Sequence, residues 1–130
     1  MSRLIASFVA VGSILFSSFV ISQQVTTPEI GFHSFSDVEL RVFDDGRKVR
    51  RISASTVGLI RVEWSEGAAT TPHNHANELV LSVIEGRLRA ISGDQEFIME
   101  AGDVIVIPAW VEHSYEALED SLTLEAAGPG

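Results

Sequence analysis

From Val38 onward the chain is cut into short apolar runs, each closed by Gly, Asp or Pro, and this spacing limits the fold more than any other feature. A helix that packs on a core needs about ten residues or more with a 3.6-residue apolar period, whereas strands of about four to eight residues need only alternation. Nothing between Val25 and Gly130 shows the helical period. Val38 to Phe43 ends at Asp44-Asp45-Gly46, a hairpin signal. In Leu59 to Trp64, the apolar Ile60, Val62 and Trp64 alternate with Arg61 and Glu63, the pattern of a half-buried strand. Leu79 to Ile84 is almost continuously apolar and stops at Glu85-Gly86. Arg87 to Ile91 leads to a Gly93-Asp94 turn, and Glu96 to Met99 returns from it. Val104 to Ile107 is β-branched throughout and stops at Pro108, and Ser121 to Leu124 reads as a last short strand. The expectation is an all-β domain, a sandwich or a barrel, between which the pattern alone does not choose.

The 130 residues suffice for one such domain. Residues 1–22 read as a targeting segment: a positive start at Arg3, an uncharged stretch from Leu4 to Ile21, and small or apolar Val20 and Ser22 ahead of a cleavage point before Gln23. The alternative is an uncleaved membrane anchor, since the stretch is close to the shortest that spans a bilayer. Ser7, Ser13, Ser17, Ser18 and Ser22 dilute it and favour cleavage. Either way the rest of the chain is expected outside the cytoplasm, in the periplasm or the extracellular space. Residues 23–34 form an arm or linker, and the domain proper is expected over 35–126.

The net charge is −9, which argues against a nucleic-acid partner, because phosphates need Lys and Arg. There is no cysteine, so stability rests on the core, a metal or self-association, and any metal site must use His and carboxylate.

The tripeptide His73-Asn74-His75 carries the chemistry. On an extended chain residues i and i+2 face the same side, so both imidazoles would look into one space. Two neutral imidazoles on one face are ready ligands for a divalent transition metal, although a polar loop after Pro72 explains the tripeptide equally well when it is taken alone. His113, far along the sequence after Pro108, taken singly is a structural histidine.

The spacing around both sites changes that reading. Gly67, five residues, His73-Asn74-His75, then Glu78 and Gly86 resembles the first conserved motif of the cupin superfamily, and Gly102, five residues, Pro108, then His113 resembles the second. The resemblance runs from Leu59 to Leu124 and identifies the chain as similar to small single-domain cupins. It implies a double-stranded β-helix, or jelly-roll barrel, with a metal in its mouth held by His73, His75 and His113. The cofactor implied is a divalent transition metal: Fe, Mn, Ni, Zn or Cu.

Three departures from the motifs matter. The acidic ligand of the family lies one residue further along than Glu78, where this chain has Leu79; seven residues separate Glu78 from Gly86 where the family has six. A one-residue shift on a strand turns a side chain to the other face. Glu78 is therefore a fourth ligand only if a bulge near Ala76-Asn77 re-aims it. Trp110 replaces a usual Gly, and Ala117 a usual Asn.

Among the remaining candidates, Tyr115 shares a face with His113 and serves either as a hydrogen-bond donor to a ligand or as core. Arg87 and Arg89 share a face and either meet an anionic substrate or are solvated, while Trp64 is expected in the core, Trp110 at the rim or walling the pocket, and His33 at the surface. No residue stands out as a general base. The expected function is that of a metal-dependent oxygenase or isomerase acting on a small polar or anionic molecule. The alternatives are a non-catalytic module holding a sugar or organic acid in the same pocket, and a structural barrel with a vestigial site. The resemblance also implies a homodimer, and a domain this small has little core of its own; a membrane is a partner only if the first segment stays uncleaved.

Overall fold

The structure, a computed structural model, describes residues 29–128. The targeting segment and the first half of the arm expected over 23–34 lie outside them. A 3₁₀ turn at Phe35–Asp37 is capped by the Ser34 hydroxyl, which accepts from Ser36 N. Nine strands follow: β1 Arg41–Val42, β2 Arg47–Ser53, β3 Gly58–Trp64, β4 Leu79–Glu85, β5 Arg87–Ser92, β6 Gln95–Glu100, β7 Val104–Ile107, β8 Ser114–Ala117 and β9 Ser121–Ala127. Among the described residues no helix is long and apolar enough to cross a membrane.

All pairings are antiparallel. The strands build a six-stranded sheet in the order β1-β2-β3-β9-β4-β7 and a three-stranded sheet in the order β6-β5-β8. This is the jelly roll expected from the sequence. The core lies between the sheets and draws on both. Val62, Trp64, Leu79, Leu81 and Val83 come from the larger sheet, and Leu88, Ala90, Met99, Tyr115 and Ala117 from the smaller.

The period of two explains why the strands form where they do. On β4 the buried Leu79, Leu81 and Val83 alternate with Val80, Ser82 and Ile84, so the apolar run has one inner face and one outer face. Burying each inner residue contributes about 1.5–3 kcal/mol.

Several elements differ from the sequence reading. The first strand keeps only Arg41–Val42. Two strands that the apolar pattern did not signal are present. β2, Arg-Lys-Val-Arg-Arg-Ile-Ser, carries four cations, and β8, Ser-Tyr-Glu-Ala, is four residues long. Both form because their neighbours bind them edge to edge, an effect that no local period records. β9 runs on to Ala127, three residues past Leu124.

The bulge also lies elsewhere. Ala76-Asn77 is a bend, and the irregularity falls at the far end of β4, where Val83 pairs with Thr123 but Glu85 with Leu122. Ile84, between these two pairs, is the residue of β4 left without a partner on β9. Gly86, at φ +81°, ends the strand against Ser121 and the Asp120 carbonyl, leaving no room for a Cβ.

Candidate metal centre and its cavity

The two histidine segments meet through the main chain. Residues 67–73 run antiparallel to residues 113–117. Gly67 N donates to Ala117 O (2.8 Å), Thr70 N to Tyr115 O (2.9 Å), and His73 and His113 exchange both N–H···O bonds (3.0 and 2.9 Å). His73 therefore stands directly opposite His113, forty residues away in sequence. His75 lies outside any regular strand, and its carbonyl accepts from Trp110 N (2.8 Å), which fastens the Pro108–Val111 turn to it. The alternation of β8, begun one residue before it, sends His113, Tyr115 and Ala117 inward, each at most 4% exposed.

Hydrogen bonds to main-chain carbonyls orient the three imidazoles. His73 Nδ1 bonds Thr71 O (2.8 Å), His75 Nδ1 bonds Asn77 O (2.6 Å) and His113 Nδ1 bonds Val111 O (2.9 Å). A carbonyl only accepts, so each Nδ1 carries the hydrogen and each neutral ring keeps its lone pair on Nε2. Such a second bond fixes the tautomer of a metal-ligating histidine. Burial, with the neighbouring His73 and His75 acting in the same direction, lowers the pKa of His113 and favours that neutral form. His113 Nε2 is itself buried without a hydrogen-bond partner among the described residues. A stranded lone pair of this kind is costly in a folded protein unless something binds it.

Ring spacing is close to what one ion needs. Metal–Nε2 bonds of about 2.1 Å set ring centres about 3.2 Å from an ion, and hence about 4.5–5.2 Å apart between right-angled and tetrahedral geometry. His113 lies 4.5 Å from His73 and 5.0 Å from His75, while His73 and His75 are 6.2 Å apart. One pair must close by about 1 Å, and accordingly no three His, Asp or Glu side chains among the described residues already stand at ligand distance. The donor set suits a divalent transition ion. Glu78 is exposed and does not line the cavity, whereas Leu79 is 4% exposed and does.

The cavity beside these rings has a volume of about 270 Å³. Its walls bring His73, His75 and Tyr115 together with Arg47 and Arg51 from β2 and Glu125 from β9. The Tyr115 hydroxyl is buried without a partner among the described residues. Burial chiefly, and the Glu125 charge secondarily, raise its pKa, so it stays a donor. Glu125 was not signalled by the sequence, because the strand that carries it reads as ending one residue earlier. The signal available was the alternation Ser121, Thr123, Glu125, which continues an inward face. Burial pushes the Glu125 carboxyl up to about 7, against smaller lowering effects of the Thr123 hydrogen bond, Arg47 and Arg51. By accessible surface the residue is only half-buried, because what it is exposed to is the cavity.

The other candidates fall elsewhere. Arg87 pairs with Glu100 (3.6 Å), and Arg89 with Glu96 (3.3 Å) and Glu116 (2.9 Å), away from the cavity. Trp64 is core, and its Nε1 donates to Thr123 Oγ1 (3.0 Å). Trp110 is 69% exposed and does not line the cavity. It sits at φ +66°, so the turn keeps a glycine-like backbone with a tryptophan in it. His33 is exposed.

Fold and cavity together describe a jelly roll with a cavity that His73 and His75 line beside the buried His113. A sequence profile of the cupin domain matches residues 60–126, more than half of the chain. The protein belongs to the cupin family.

No curated protein sequence matches it. Among solved structures it is similar to an RmlC-like cupin from Shewanella frigidimarina (18% identity, TM-score 0.71, covering 78% of this chain and 93% of that one). It is also similar to KdgF from Halomonas sp. (22%, TM-score 0.70, covering 77% and 95%). A third likeness is to Bacillus subtilis oxalate decarboxylase, which has Mn(II) centres (21%, TM-score 0.69, covering 83% of this chain but only 32% of that one). At these identities the likeness is one of fold.

Proposed function

We propose that this cupin is a metal-dependent enzyme, an oxygenase or isomerase, acting on a small polar or anionic molecule in the cavity beside His73, His75 and His113. One observation carries the reading: three imidazoles, each tied through Nδ1 to a main-chain carbonyl, stand with ring centres 4.5, 5.0 and 6.2 Å apart, and Nε2 of His113 is buried and unpartnered among the described residues. A bound Fe, Mn, Ni, Zn or Cu ion would supply Lewis acidity toward the ligand's oxygen atoms. The Mn(II) centres of the similarly folded oxalate decarboxylase make manganese one of the ions to test. With no carboxylate from Leu79 in the donor set, the ion's charge is left unneutralised, which favours an anionic ligand.

The chain's own residues define the rest of the chemistry. Arg51 offers cationic N–H donors, Tyr115 offers a hydroxyl, and Leu79 and Ile60 keep part of the wall apolar. The test is elemental analysis of protein purified from its native compartment, with the three His→Ala variants alongside. About one metal per chain, lost in each variant, supports the reading. Metal-free protein that still binds a small organic acid supports the binding module instead.

The reading includes export, on the strength of the uncharged stretch from Leu4 to Ile21. A mature N-terminus at Gln23 in the periplasmic or extracellular fraction is the expected result of mass analysis. Self-association as a homodimer is tested by sedimentation at micromolar concentration.

A further inference from the structure

β9 brings one carboxylate into the cavity that neither histidine motif contains. Glu125 stands opposite Ile60 of β3 and Leu81 of β4, on the inward face it shares with Ser121 and Thr123. Trp64 Nε1 donates to Thr123 Oγ1, which in turn donates to Glu125 Oε1 at 3.4 Å. Among the described residues this is its one hydrogen bond, and it has no ion pair.

Buried carboxylates kept for structure are ordinarily paired, and two cations are at hand. Arg47 is engaged by Asp45 (2.7 Å). Arg51 donates to Ser53 Oγ and Gly128 O, has no carboxylate partner among the described residues, and lines the same cavity. Across from them is the unpartnered, buried Tyr115 hydroxyl. A free carboxylate, a guanidinium with unused N–H groups and an orphan hydroxyl thus share one small space. The titratable and charged groups that line the cavity with Glu125 are Arg47 and Arg51 from β2, Tyr115 from β8, and His73 and His75 from the segment before β4; β3 and β4 contribute only Ile60, Trp64 and Leu79 to it.

We propose that Glu125 is the proton-transferring catalytic residue of this cavity, acting on the carbon next to a carbonyl in a small carboxylate ligand that Arg51 anchors and Tyr115 hydrogen-bonds. The proposal rests on the reading of the cavity as a small-anion site. It moves that reading toward isomerase chemistry, because it supplies the base that the histidine motifs lack.

The step balances without a co-reactant. The ligand's C–H bond breaks and its proton goes to the Glu125 carboxylate. The C–H electron pair becomes a C–C double bond as the carbonyl pair moves onto oxygen, where the Tyr115 O–H donates to the developing charge. The proton then returns from Glu125 to the carbon. A carboxylate held by one hydrogen bond from Thr123 and by no ion pair among the described residues is free to take the proton and give it back.

The test is deuterium wash-in followed by proton NMR, using the full chain in heavy water with pyruvate and 2-oxoglutarate as probes, with and without added Mn(II). The expected result is exchange at the carbon next to the carbonyl at least tenfold above the protein-free rate. Glu125→Gln should bring the rate back to near the protein-free value, because an acid–base group ordinarily contributes about a hundredfold or more, with metal content unchanged. Arg51→Gln should raise the probe concentration giving half-maximal rate more than it lowers the maximal rate. Equal wash-in by wild type and Glu125→Gln, or no acceleration of either probe, overturns the proposal. Metal content and broadening of the probe signals separate two kinds of failure. A protein that holds metal and probe yet gives no wash-in refutes the role of Glu125 alone, whereas one that holds neither refutes the cavity reading as well.

Discussion

Replacing Glu125 with Gln should change how stability depends on pH in the metal-free protein. The folded chain holds the Glu125 carboxyl at about 7, against an ordinary value of 4.5. Between those values the folded state binds more protons than the unfolded state, so stability falls as pH rises. The stabilisation is fully present below about pH 4.5 and is lost as pH climbs through about 7. At 1.36 kcal/mol per pH unit the ceiling is about 3 kcal/mol, a ceiling because the cavity admits water. For a domain of this size that corresponds to about 10–20 °C in Tm. Gln has no charge to desolvate, so the variant should match wild type near pH 4.5 and exceed it near pH 8. Calorimetric scans in chelator between these limits measure the difference directly. His113, whose pKa is lowered by burial, contributes in the opposite sense, gaining stability as pH rises; it is present in both proteins and cancels in the difference. Parallel curves for the two proteins across this range would refute the argument that the carboxyl is desolvated.

Metal content read by elemental analysis should fall to background in His73→Ala, His75→Ala and His113→Ala and stay unchanged in Glu78→Gln; loss in Glu78→Gln would mean that the strand re-aims this side chain. Leu79→Glu, which puts a carboxylate on the cavity wall, should tighten metal binding, as measured by competition with a chelator. Trp110→Gly removes a left-handed tryptophan (φ +66°) that costs about 1–2 kcal/mol, against about 0.5–1 kcal/mol of added chain entropy. A Tm rise of a few degrees is expected, and a fall would show that the exposed indole packs on something important. Thr123→Val leaves Trp64 Nε1 buried without an acceptor, at a cost of about 1–3 kcal/mol, which urea denaturation would detect.

The sequence by itself determined the all-β class and the two histidine motifs. Period-two alternation and turn residues are local, and a strand such as Leu59–Trp64 announces its buried face through its own residues. The same counting placed Leu79 rather than Glu78 in step with Leu81 and Val83. What the sequence did not determine is set by pairing between distant segments. β2 is too charged and β8 too short to be read alone, and each exists because a neighbouring strand accepts its hydrogen bonds. Whether His113 lies across from His73 depends on two main-chain bonds between segments forty residues apart. Only tertiary structure put Glu125 in the cavity. Its strand outlasts its apolar signal because β3 and β4 pair with it on both sides as far as Ala127, and burial between them, a property no residue has alone, is what raises its pKa.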